Sequence, residues 1–141
     1  MIEWYKTALF ENYANFTGRA RRSEYWYFRL ATAVIFFLFI ILSVIIYVVT
    51  DNGPLAVGLG FGLLALYSLL TFIPSLSVTV RRMHDIGKSG WTFLVALIPL
   101  AGPIWLLILL LTEGDSGENY YGADPKSEIE EINEIGNVEL Q

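Results

Sequence analysis

The chain has 141 residues, 55% of them apolar and only 16% charged, and its mean hydropathy is +0.52. That length allows one domain, and such hydropathy excludes an ordinary soluble one, which would carry charges every few residues on its solvent faces. The net charge of −5 with no cysteine excludes disulfides, a thiolate nucleophile and a thiolate metal site.

The charge is unevenly divided. Residues 1–29 hold Lys6, Arg19, Arg21, Arg22 and Arg29 against Glu3, Glu11 and Glu24, whereas residues 113–141 set nine acids against Lys126. Between them, runs 30–50, 52–80 and 89–112 carry no charge and make up more than half the chain. These features predict an all-α integral membrane protein, with one membrane domain over 1–125 and an acidic tail over 126–141.

In chain order, Ile2, Tyr5, Leu9, Tyr13 and Phe16 recur at spacings of three and four. That period predicts an amphipathic helix over 2–16 lying in the membrane interface. A first transmembrane helix is expected at about 29–50, since twenty apolar residues make about 30 Å of helix, the thickness of the hydrocarbon layer. Tyr25, Trp26, Tyr27 and Phe28 precede it as an interfacial belt. After the turn Asp51-Asn52-Gly53-Pro54, a second helix is expected over about 55–80. Pro74 should kink it, because proline lacks the donor for the Leu70 carbonyl and crowds it. A third transmembrane segment, about 91–112, is interrupted by Pro99, Gly102 and Pro103. It reads either as a kinked span or as a re-entrant hairpin turning at Gly102. The tail should be turns up to Pro125; Ser127 and Glu130 then offer a capping box for a short helix, but the charge and length of that stretch favour disorder in isolation.

Positive charges number five before the first span, none in the first connection and three (Arg81, Arg82 and Lys88) in the second. The N-terminus and second connection are therefore expected in the cytoplasm, and three full crossings would put the tail outside.

Among the motifs, Gly58, Gly60 and Gly62 imitate a dinucleotide fingerprint, but no strand precedes them. With Ala56 they form a small-residue face suited to helix packing, within the chain or between two copies. Gly87-Lys88-Ser89 resembles the end of a phosphate loop, yet Arg82 stands where its first glycine belongs. His84 and Asp85 supply at most two metal ligands and lack an assignable nucleophile, so their expected role is structural. The basic set Arg19, Arg21, Arg22, Arg29, Arg81, Arg82 and Lys88 carries the topology signal. Its arginine forks also suit phosphate, so an anionic headgroup site built on Arg19, Arg22, Arg81 and Arg82, oriented by Glu24 and Asp85, is a sharper expectation.

Phe16-Thr17-Gly18-Arg19-Ala20-x-Arg22-x-Glu24-Tyr25-Trp26 and Arg81-Arg82-Met83-His84-Asp85-x-Gly87-x-Ser89-Gly90-Trp91 resemble a bacterial inner-membrane family, domain of unknown function 805. Pro99-x-x-Gly102 and Gly114-x-x-Gly117-x-Asn119-x-Tyr121-Gly122-x-Asp124-Pro125 resemble its closing pattern. Thr92 stands where that pattern often has a second aromatic residue. The resemblance implies a small multi-pass protein of the bacterial plasma membrane and carries no activity, substrate or cofactor. The resulting expectation is a non-enzymatic membrane module without metal, cofactor or nucleic acid, whose basic cytoplasmic face meets anionic lipids or a partner. The alternatives are a channel or transporter subunit and, with less support, a lipid-modifying enzyme using His84 and Asp85.

Overall fold

The structure, a computed structural model, describes residues 5–126. The acidic stretch from Ser127 onward, with its capping box, lies outside those residues. The regular segments are a π-helical turn Thr7–Glu11, helix α1 Arg22–Thr50, helix α2 Gly53–Asp85, a 3-10 helix Gly90–Leu97 and helix α3 Ala101–Leu111. No strand occurs among the described residues, only one isolated bridge between Asn119 and Gly122. Two helices, α1 and α2, are long and apolar enough to cross a membrane. The described residues divide into two compact units: 5–14 with 26–76, and 15–25 with 77–126.

In the first unit, α1 and α2 form a hairpin across a two-residue turn. Asp51 adopts φ +49°, and the Asn52 side chain caps α2 by accepting the Leu55 N–H at 3.0 Å. Pro54 falls in the first turn of α2, where its missing donor breaks nothing. The packing face is Ala56 and Gly60. Ser43 Oγ donates to the Ala56 carbonyl at 2.8 Å, and a Cβ on Gly60 would lie 2.6 Å from that same oxygen. Gly58 and Gly62 lie on another face, where nothing comes within 4 Å of a Cβ. The small residues thus divide, and only Ala56 and Gly60 pack inside this hairpin. Apolar side chains of α1 point outward along its length, Phe37 being 67% and Val49 77% exposed. Such a surface suits lipid and not water.

The N-terminal helix is shorter than the spacing suggested. It ends at Glu11, where the Asn12 N–H reaches back to Thr7 O at 2.8 Å, and no helix covers 12–16. Tertiary contacts hold it instead. Tyr5 stacks on Phe28 and hydrogen-bonds the Tyr67 hydroxyl at 3.0 Å, while Tyr67 receives Phe36 and Phe39 edge-on. Tyr13 Oη donates to the Leu70 carbonyl at 3.0 Å. Leu70 is the residue whose acceptor Pro74 leaves without its usual helical donor. Helix α2 continues through Pro74 without a break, and Tyr13 supplies the missing hydrogen bond.

In the second unit the third apolar segment folds back on itself. The 3-10 helix ends at Leu97, residues 98–100 reverse the chain, and α3 begins at Ala101. Leu100 takes φ +65°, a left-handed conformation costly for leucine. Gly102 lets the two arms meet, because a Cβ there would collide with the Val95 carbonyl. Pro103 sits in the first turn of α3, so the break falls at 98–100, just before Gly102. Neither arm can cross a bilayer: eight 3-10 residues and eleven α-helical residues are each about 16 Å long, against a layer of about 30 Å. The expectation of three transmembrane helices therefore gives way to two long helices and a helical hairpin.

Candidate functional site

The charged residues singled out by sequence converge at the base of that hairpin. Residues 15–21 approach the C-terminal end of α2 as an irregular strap that leads into α1. The Ala20 N–H donates to Arg81 O at 3.0 Å, and Gly18 turns at φ +76°. Helix α2 ends at Asp85, and Gly87 at φ +65° starts the chain toward the hairpin. Beyond α3, residues 112–126 return as a loop, with the Asp115 N–H bonded to Asp85 O at 2.8 Å.

Asp85 is the centre of this knot. Its Oδ1 accepts from Arg19 Nε at 3.1 Å and its Oδ2 pairs with Arg82, all three side chains being nearly inaccessible. The remaining donors of both arginines go to backbone. Arg19 donates to Gly117 O at 2.6 Å and to Asp115 O. Arg82 reaches Thr112 O and, at 3.4 Å, Leu110 O, which ties off the open carbonyls at the end of α3. Arg81 forms a second buried pair with Glu24, Nη2 to Oε1 at 2.6 Å, while its Nε has no hydrogen-bond partner among the described residues. Removing such charges from water costs several kcal/mol per ion, so each must be paired and hydrogen-bonded to persist.

His84 is held on both faces of its role. Its Nδ1 lies 3.1 Å from the Gly18 carbonyl, and its ring stacks on Tyr121 at 3.9 Å between centroids and 2° between planes. A carbonyl only accepts, so Nδ1 carries the proton. Nε2 faces Gly90, where a Cβ would come within 3.3 Å of it. Asn119 Nδ2 donates to His84 O at 3.0 Å and to Asp115 Oδ2 at 3.2 Å. Gly114 is needed because a Cβ there would collide with the Asp85 carboxylate.

The loop closes on itself outside the knot. Asp124 accepts from the Gly117 N–H at 3.0 Å and the Lys126 N–H at 2.9 Å, and these two donors hold its carboxyl below the usual carboxylate range. Lys126 Nζ pairs with Glu113 at 2.6 Å and likewise lowers the Glu113 carboxyl. A cleft of about 240 Å³ is lined by Arg21, Arg22, Asp85, Glu113, Asp115, Asp124 and Lys126. It mixes both signs of charge. No group of three potential metal ligands occurs among the described residues.

The structure brings Arg19, Arg82, His84 and Asp85 together, with Arg81 and Glu24 beside them as a separate pair. It does not make Arg19, Arg22, Arg81 and Arg82 one exposed phosphate surface. Three of those arginines are buried, and those of Arg19 and Arg82 spend their forks on the chain's own carbonyls. Arg22 and Lys88 are exposed and Arg21 is half-buried. Reading residues alone missed Asp115, Asn119 and Tyr121. Asn119 and Tyr121 stand in the spaced Gly-Asn-Tyr-Gly-Asp pattern, which reads as generic turns until its partners on α2 are known, and Asp115 carries no such signal.

Residues 13–123 match the family described as "Protein of unknown function (DUF805)". The chain is 42% identical over 126 residues to "Inner membrane protein YhaI" of Escherichia coli K12, covering 89% of this chain and 97% of that protein. It is 39% identical over 129 residues to "Inner membrane protein YhaH" of the same organism, covering 90% and 99%. No solved structure matches.

Proposed function

The chain belongs to the DUF805 family, and from that premise we propose that it is a non-enzymatic, multi-pass module of the bacterial inner membrane. Its N-terminus is cytoplasmic, and it presents a rigid polar cap to the anionic headgroups of the inner leaflet. Membrane residence rests on firm ground, in α1 and α2 and in relatives named for that membrane. The observation that carries the functional reading is the division of the basic residues. Arg19, Arg81 and Arg82 are used inside the protein, whereas Arg22, Arg29 and Lys88 are exposed and Arg21 is half-buried.

The same division supports a module over an enzyme. His84 is engaged by Gly18 and Tyr121, and Asp85, although it borders the cleft, has both carboxylate oxygens committed to Arg19 and Arg82. The transporter reading draws on the broken third segment, but residues 89–112 contain no ionisable side chain to relay an ion or proton. A vesicle flux assay separates that alternative.

Exposed cations near an anionic leaflet contribute about 1 kcal/mol each, screened by salt. Retention of anionic lipid by the purified protein, read by native mass spectrometry, is expected to fall on Arg22→Glu with Lys88→Glu. Arg22→Lys should match wild type, because a diffuse attraction counts charge and ignores fork geometry. Equal retention by wild type and the double charge reversal sinks this reading.

A further inference from the structure

We propose that residues 89–112 form a re-entrant hairpin, which enters one leaflet of the bilayer from the face that carries the charged knot and returns to that face. The proposal rests on the membrane reading above and fixes the partner of one surface, the acyl chains of a single leaflet. Both ends of the hairpin are tied to the same short stretch of α2. At the entry, a Cβ on Gly90 would lie 2.7 Å from the Val80 side chain. At the exit, Arg82 holds the Leu110 and Thr112 carbonyls, and Asp85 O holds the Asp115 N–H. A segment whose two ends share one anchor leaves the membrane on the side it entered.

Length agrees. Each arm is about 16 Å, roughly half the hydrocarbon thickness, so the tip stops near the bilayer midplane. Chemistry agrees as well. The tip residues Leu97 and Leu100 are 77% and 89% exposed, and Ala101, Ile104, Trp105 and Ile108 line an open apolar groove of acyl-chain character. Water is a poor solvent for this surface, and the run from 89 to 112 carries no charge.

The reversal leaves few donors in a medium that offers no hydrogen bonds, the Leu100 N–H being one without an acceptor among the described residues. Irregular backbone is costly in lipid because its N–H groups lack acceptors. Here Pro99 and Pro103 have no N–H to satisfy. The Ile98, Ala101 and Gly102 donors are taken by Val95, Pro99 and Ile98 carbonyls at 3.0, 2.8 and 2.9 Å. Prolines that would damage a continuous span remove donors from a turn within the membrane.

The absence of cysteine makes labelling of single introduced thiols a direct test. Asn52→Cys, Lys88→Cys, Leu100→Cys and Glu118→Cys are each treated with a membrane-impermeant maleimide, in spheroplasts and in inverted vesicles. Asn52→Cys is expected to react from the outside only, and Lys88→Cys and Glu118→Cys from the inside only. Leu100→Cys should react at least about tenfold more slowly than Glu118→Cys from either side, since a thiol in hydrocarbon has little thiolate. Tyr120→Cys, at a side chain 96% exposed, and Ile98→Cys repeat the two decisive positions if a first variant fails to fold.

Labelling of Glu118→Cys from the same side as Asn52→Cys means a full third crossing and overturns the hairpin. Labelling of Leu100→Cys in inverted vesicles as fast as Glu118→Cys puts the hairpin in water and overturns insertion. A pattern with all sides exchanged leaves the hairpin standing and refutes the cytoplasmic N-terminus instead. Release of the wild-type protein by alkaline carbonate removes the membrane reading itself, and the hairpin with it.

Discussion

Tyr13 and Pro74 act on one carbonyl. Proline at 74 deprives Leu70 O of its helical donor, and the Tyr13 hydroxyl provides a replacement from a separate part of the chain. Tyr13→Phe should therefore lower stability by about 1 kcal/mol, the net worth of one hydrogen bond, with a larger loss where lipid replaces water. Pro74→Ala restores the backbone donor, so the double variant should lose less than Tyr13→Phe does alone. Thermal unfolding in detergent measures both, and additive losses would refute the exchange. Asp85 presents the opposite case, in which one side chain compensates two buried cations. Asp85→Asn should cost about 3–5 kcal/mol, because Arg19 and Arg82 would remain buried without their counter-charge. The same thermal measurement checks it, and a loss below that of Tyr13→Phe would show that Asp85 is not the centre of the knot.

Helices α1 and α2 approach closely through half of the small-residue face. Gly60→Leu must displace Ser43 and open the hairpin, whereas Gly62→Leu meets nothing within 4 Å. Thermal stability is expected to fall by about 1–3 kcal/mol for the first, the usual range for overpacking, and to stay unchanged for the second. A change of oligomeric mass in Gly62→Leu alone would mark that open face as a contact between copies. The uncharged run 52–80 identified a helix but could not separate these two faces. Gly58, Gly60 and Gly62 alternate along the chain, and which of them turns inward depends on the rotation of α2 about its axis.

The closing loop gives the molecule a sensitivity to acid. Backbone N–H groups of Gly117 and Lys126 depress the Asp124 carboxyl, and Lys126 depresses Glu113. A carboxyl lowered in the folded state stabilises fully above its ordinary range and loses that contribution as pH falls through the lowered value. The protection factors of amides 113–126, exchange rates divided into the intrinsic rate at each pH, should thus be constant from neutrality to about pH 4 and fall below it. Asp124→Asn should open the loop at neutral pH and flatten the profile; an unaltered acid transition in that variant would assign it elsewhere.

Local chemistry alone established the helical membrane class, the two long helices and the family pattern. Runs without charge and their lengths specify a solvent and a thickness whatever the chain does elsewhere. Sequence also marked Arg19, Arg82, His84 and Asp85, because so few charges border so much apolar chain. Tertiary structure decided what those residues do and where the third segment goes. A run of 24 residues is long enough to span, and nothing local distinguishes a kinked span from a hairpin. That choice belongs to Arg82 and Asp85, which hold the far end of the segment against the end of α2 from which it starts, and to Gly102, which lets its arms touch. The arginines likewise read as lipid ligands until their acceptors, the carbonyls of residues 110–117, fold onto them from about 30 to 100 positions away along the chain.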